Sequence, residues 1–306
     1  MWLFDSFVYI ILDMEEIYMN DIKMVLFDFD WTLFDHRSYR IIPSSIKAIE
    51  ELKKKGIKVV INTGRSYYSL MDKDLVSKLN VDALVVSNGG ACIADNKELY
   101  ALYFEDEVKD RLIKFLNDNK MSYGIVTLYT TYGKTFEQGN VDKFFNTFDE
   151  PRSKDISLYK NERVLSFSVF EAHKNLEKIK KEFPDLDIDA FFGDCIGIRR
   201  CVFSKREGIE ALLKYYNISK DEVLSIGDDF NDVDMFRFTK YSMAVGNSRD
   251  EIKKEAMFVS EDIKDDGIYK KLQELELIQI DMKERVIGIF LAVSAALFFY
   301  TLLIDG

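Results

Sequence analysis

Residues 23–35 read KMVLFDFDWTLFD. An apolar run ends in Asp28, and Asp30 follows two places on. A second acidic group, Asp228-Asp229-Phe230-Asn231-Asp232, follows the run EVLSIG. Thr63-Gly64 closes IKVVIN, and Lys205 sits at the start of KREGIEALL. In an open parallel α/β sheet, ligands bind beyond the carboxyl ends of the strands. These four polar clusters fall at such ends or close by. Carboxylates brought together there repel and take up protons unless a cation holds them. An all-oxygen site that keeps several waters suits Mg2+. The two histidines, His36 and His173, lie far apart and read as surface or packing residues. Any chemistry therefore falls to the acids.

The elements that must position these residues follow from hydrophobic period. Residues 24–27 read as a buried parallel strand. A helix opens at Pro43, carries Ile46, Ile49 and Leu52 on one face, and stops at Gly56. Strands are predicted at 57–62 and 83–90, with a helical stretch near 66–79 between them. This is the rhythm of a doubly wound sheet. After about residue 90 short strands mix with helices, as expected of a separate α+β unit. The α/β rhythm returns with a helix from Ser204 and strands at 222–229 and 241–247. The predicted fold is α/β: a doubly wound, Rossmann-like parallel core with an inserted α+β cap. The core covers 22–88 and 199–275, and the cap covers 89–198.

DFDWTLFD, INTGR, SKREGI and GDDFND, in that order, resemble the four motifs of the haloacid dehalogenase (HAD) superfamily. More narrowly they are similar to its Cof-type branch, in which a class-II cap lies between the second and third motifs. AVGN and the later EDIKDDGIYKKL fit that branch. The resemblance implies a nucleophile at Asp28 that forms an aspartyl-phosphate. It implies a general acid and then base at Asp30. It implies Mg2+ held by the Asp28 carboxylate, the Asp30 carbonyl and Asp228. Thr63, Gly64 and Asn231 would contact phosphate, and Lys205 would add positive charge to nucleophile and phosphate. Asp232 would orient the metal shell or Lys205, with Asp229 as a further outer acid. Where the Cof pattern usually has Gly, this chain has Trp31. An ordinary backbone conformation is expected there, with the indole against the cap or the substrate opening.

The implied activity is a Mg2+-dependent phosphatase acting on a small-molecule phosphate ester, of sugar or of flavin or nucleotide type. Alternatives are a phosphomutase on the same core, or a non-hydrolytic, membrane-tethered regulatory or binding module. Asp30 argues against the last, because a general acid serves turnover. Apolar residues are 47% of the chain and charged ones 31%, as in a globular protein. The net charge of −11 with no basic run excludes a nucleic-acid partner. Three cysteines without metal spacing suit a reducing compartment. Residues 1–21 are apolar but lack the pattern of a signal peptide. They read as a packing or interfacial segment, or as sequence upstream of a start at Met14, Met19 or Met24. Residues 286–304 carry no charge and follow Lys283 and Arg285. As a helix they reach across the roughly 30 Å of a bilayer core. They are a candidate transmembrane helix that would anchor a cytoplasmic catalytic domain.

Overall fold

The computed structural model describes residues 21–72, 74–136, 141–142, 152–191 and 194–279. Strand β1 (Met24–Phe27) is apolar at every position because both its faces are covered. Val25 and Phe27 join one cluster with Ile49, Leu52 and Leu272. Met24 and Leu26 join another with Ile209, Leu212 and Met235. A strand buried on both sides loses its alternation. The short hairpin β2 (Phe34–Asp35) and β3 (Arg40–Ile41) follows. Next come α1 (Pro43–Lys54), β4 (Lys58–Asn62), α2 (Tyr67–Asp72) and β5 (Ala83–Val86). Helix α2 is much shorter than the stretch predicted at 66–79. Beyond β5 the chain folds back as β6 (Ala91–Ala94) and β7 (Lys97–Ala101), both antiparallel to their neighbours.

A second sheet is built from α3 (Asp106–Asp118), β8 (Tyr123–Thr127), β9 (Thr131–Lys134), β10 (Lys154–Asp155), β11 (Val164–Phe170), α4 (Ala172–Glu182), β12 (Asp187–Phe191) and β13 (Cys195–Arg199). Its strand order is β10-β9-β8-β11-β13-β12. Leu112 and Leu116 of α3 and Ile179 of α4 share a cluster with Ile125, Phe167 and Ile196 of the strands.

The chain then returns through α5 (Lys205–Tyr216), β14 (Val223–Gly227), α6 (Val233–Phe238), β15 (Tyr241–Ala244), α7 (Asp250–Lys253), β16 (Phe258–Val259) and α8 (Gly267–Glu274). The first sheet has the order β16-β15-β14-β1-β4-β5-β6-β7. From β16 to β5 every neighbour is parallel. The expected parallel core is thus a mixed sheet with an antiparallel edge. That edge carries the first sheet to Ala101, past the boundary expected at 88. Among the described residues no helix is long and apolar enough to cross a membrane. The candidate transmembrane helix at 286–304 and the N-terminal segment up to residue 20 lie outside the described residues.

Candidate active site

Register brings the acids together. Phe27 stands opposite both Ile61 and Ile226, so Asp28, Asn62-Thr63 and Gly227-Asp228 emerge level at one edge of three adjacent strands. The Asp28 N–H donates to the Ile226 carbonyl at 2.8 Å, carrying the ladder one residue further. Lys205 is the first residue of α5, and the Ser204 hydroxyl caps that helix by accepting from the Arg206 N–H at 3.2 Å. The Asn62 amide donates to the Lys205 carbonyl at 3.2 Å and seats the helix start against β4. From there Lys205 Nζ donates to Asp28 Oδ1 at 2.5 Å and to Asp232 Oδ1 at 2.6 Å. Asp232 Oδ2 accepts from the N–H groups of Asp228 and Asp229 at 2.8 and 3.1 Å. A Cβ at Gly227 would stand 2.4 Å from the Asp232 carboxyl group, so only glycine lets that acid sit under the strand end.

Lys205, Asp28 and Asp232 are all buried. Burial opposes the lysine's charge, but Asp232 and Asp28 outweigh it and hold its pKa above the ordinary value. Burial pushes Asp28 up to about 7 against the pull of Lys205. Burial, then the charge of Asp28, pushes Asp228 up to about 9.

A cavity of about 260 Å3 opens over this cluster, lined by Asp28, Asp30, Trp31, Thr63, Gly64, Arg65, Asp228, Asp229 and Asn231. Asp28 Oδ2 accepts no hydrogen bond among the described residues. The Thr63 hydroxyl accepts from the Arg65 N–H at 3.1 Å, and the Asn231 amide donates to Asn88 Oδ1 at 3.1 Å. Asp30 is held at both oxygens. Arg65 Nη2 donates to Oδ1 at 2.7 Å and Nε to Oδ2 at 2.8 Å. His36 Nε2 lies 2.6 Å from Oδ1. Burial works against charge on Asp30, but the bonds from His36 and Arg65 outweigh it and bring the carboxyl down to about 2. Trp31 takes φ +59, in the left-handed region, which overturns the expected ordinary conformation. Its ring lies 5.1 Å from that of His36, and the Arg37 guanidinium carbon lies 5.8 Å from its centroid.

Residues 25–272 match the family described as haloacid dehalogenase-like hydrolase. The chain belongs to that family. Phosphoglycolate phosphatase 1 of Saccharolobus solfataricus is 30% identical over 258 residues, covering 83% of this chain and 96% of that protein. A hypothetical protein of Geobacillus kaustophilus HTA426 superposes with a TM-score of 0.77 at 25% identity, over 84% of this chain and 100% of the other. The HAD subclass IIB sugar phosphatase BT4131 does so with a TM-score of 0.66 at 22% identity, over 84% and 100%. The chain is thus a HAD-like hydrolase and a phosphatase.

In this HAD phosphatase the residues singled out by spacing converge, with two refinements. Lys205 and Asp232 lie buried beneath the cavity rather than in its lining, so the lysine reaches Asp28 and not the open space. The Asp28, Asp228 and Asp232 ligand atoms come within 4.8 Å of one another. Both Asp232 oxygens are already taken, which leaves Asp28 Oδ2 and Asp228 as donors. Two acids with raised pKa values and free oxygens form a set that a hard divalent cation fits. Sequence reasoning missed Arg65 and His36, the partners of Asp30, and had set His36 aside as a packing residue. Arg65 ends the INTGR motif, and that placement at a strand end was the one available signal. His36 is brought back by the tight β2–β3 region, for which spacing gave no signal.

Proposed function

We propose that the chain is a Mg2+-dependent phosphatase that hydrolyses a small phosphate ester through an aspartyl-phosphate on Asp28. The observation that carries this reading is the asymmetry of Asp28: Lys205 binds one oxygen and the other is left free at the cavity. A carboxylate so placed is oriented for in-line attack on phosphorus. Thr63, the Gly64 backbone and Asn231 would hydrogen-bond the phosphoryl oxygens. Asp28, the Asp30 carbonyl and Asp228 would hold Mg2+, which when bound screens the repulsion between two anions and stabilises equatorial charge. Asp30 would protonate the leaving oxygen and then take a proton from the attacking water. Its pairing with Arg65 and His36 favours the base form. Protonation for the first step requires that an incoming phosphate loosen that pairing.

The likeness to a phosphoglycolate phosphatase and a sugar phosphatase supports a small phosphorylated metabolite, such as a sugar phosphate or a flavin or nucleotide-type phosphate, as substrate. Phosphate release should be measured from an aryl phosphate and a panel of such esters, with and without Mg2+. Release that needs Mg2+ and disappears in Asp28→Asn is the expected result. Turnover by Asp28→Asn at the parent rate would sink the mechanism. An isomeric sugar phosphate formed without free phosphate would replace it with mutase chemistry.

A further inference from the structure

The turn that carries Asp30 sits in a conformation its own sequence disfavours. At φ +59 the Cβ of Trp31 crowds the backbone, and a bulky residue adopts that region only when its surroundings impose it. Bonds inside the turn account for part of this. The Trp31 N–H donates to the Phe34 carbonyl at 2.8 Å, and the N–H groups of Leu33 and Phe34 donate to Phe29 at 2.9 and 2.8 Å. The Trp31 carbonyl is held from elsewhere. It accepts from Asn247 Nδ2 at 2.8 Å, across 216 positions of sequence. The Asn247 side chain has no freedom to turn over, because its Oδ1 accepts from the Ile263 N–H at 3.2 Å. Nor can its backbone shift easily. The Gly246 N–H donates to the Glu261 carbonyl at 3.0 Å, and a Cβ at Gly246 would stand 2.3 Å from the Asp262 nitrogen. A second tie runs alongside, where Arg37 donates to both Asp262 oxygens at 2.8 and 3.1 Å.

We propose that Asn247 is a positioning residue for phosphoryl transfer: its amide latches the left-handed turn at Trp31 and so fixes where the adjacent Asp30 carboxylate stands relative to Asp28. This rests on the reading of Asp30 as the group that serves the leaving oxygen. Arg65 and His36 hold the tip of the Asp30 side chain, and Asn247 holds the backbone it grows from. Without the latch Trp31 relaxes toward negative φ, and the peptide between Asp30 and Trp31 turns with it.

The test uses the full chain with Mg2+ and compares kcat/KM for two esters. An alkyl phosphate needs its leaving oxygen protonated, whereas 4-nitrophenyl phosphate releases a stable anion and does not. Asn247→Ala should lower kcat/KM about tenfold on the alkyl ester and less than about threefold on the aryl ester. Asn247→Asp keeps the acceptor for the Ile263 N–H but sets a carboxylate oxygen against the Trp31 carbonyl in place of the donor, so it should show the same split. In a Trp31→Gly background Asn247→Ala should cost less than about twofold, because glycine holds positive φ unaided. Equal losses on both esters, parent values in Asn247→Ala, or an undiminished loss in the Trp31→Gly background would each overturn the proposal. Asp30→Asn separates the two levels. If it loses the alkyl ester selectively while the Asn247 variants are silent, only the latch fails. If it discriminates between neither ester, the reading of Asp30 fails and the latch falls with it.

Discussion

Lys205 holds apart two buried carboxylates that could not otherwise coexist. Its Nζ is the shared partner of Asp28 and Asp232, and all three are withdrawn from water. Lys205→Met would leave both acids buried and uncompensated, which typically costs about 3–5 kcal/mol. Urea unfolding should show that loss, and turnover should vanish with it. A second expectation concerns pH. In the metal-free protein Asp28 and Asp228 have pKa values raised from 3.8 to about 7 and about 9. The folded state then binds more protons than the unfolded chain between those limits, so stability falls as pH rises through them. A cation needs both groups ionised and must displace those protons. Mg2+ affinity should therefore climb with pH up to about 9, and binding should release protons. Calorimetry in two buffers of different ionisation enthalpy measures both, and an affinity flat from pH 6 to 9 would contradict this assignment. The acids themselves were legible because two separate acidic groups each follow an apolar run, a stronger signal than one acid at a strand end. Arg65 and His36 were less so, since nothing in spacing says which base folds back onto which acid.

The elements were legible where period and burial agree. β1, β4 and β14 read as apolar runs because each is central in the sheet and covered on both faces. β6 and β7 were read as part of the inserted unit, yet β6 pairs with β5 and β7 with β6, so they extend the first sheet. The missed signal was local. Asp95 and Asn96 both take positive φ between Ala94 and Lys97, the pattern of a tight hairpin turn. Trp31 was misjudged because its carbonyl is held by Asn247, a residue far away in sequence. At this scale the sharpest expectation concerns the end of β14. Gly227→Ala places a methyl group 2.4 Å from the buried Asp232 carboxyl group, which must then move off Lys205 and the loop N–H groups. Overpacking of this kind costs about 1–3 kcal/mol. Thermal melts should register that loss, together with weaker Mg2+ binding. Full stability with unchanged metal affinity would mean that Asp232 does not organise the 228–232 turn.

At the scale of the whole molecule, the cavity takes all its lining from turns of the first sheet and none from the second. About 260 Å3 accommodates a phosphoryl group and its immediate ligands, so discrimination among leaving groups must arise outside it. The second sheet supplies a candidate surface. Leu128 and Leu165 join the first sheet's core cluster, which fixes how the two units meet. Next to Leu128 in the chain, the turn from β8 to β9 carries Tyr129, 64% exposed, with its ring 5.5 Å from that of Tyr67. Tyr67 lies two residues beyond Arg65, at the start of the helix that leaves the cavity. An exposed ring so placed can meet the part of a substrate that projects past the phosphate. Tyr129→Ala should leave kcat/KM for 4-nitrophenyl phosphate within about twofold, because that small ester needs only the core machinery. For the preferred sugar or nucleotide ester, KM should rise about tenfold with kcat little changed, as expected when binding remote from the reacting bond is lost. Substitution of the nucleophile Asp28 should instead depress every ester alike. If Tyr129→Ala lowers both esters by the same factor, the ring acts through the fold. If it changes neither, the second sheet recognises substrate through another part of its surface.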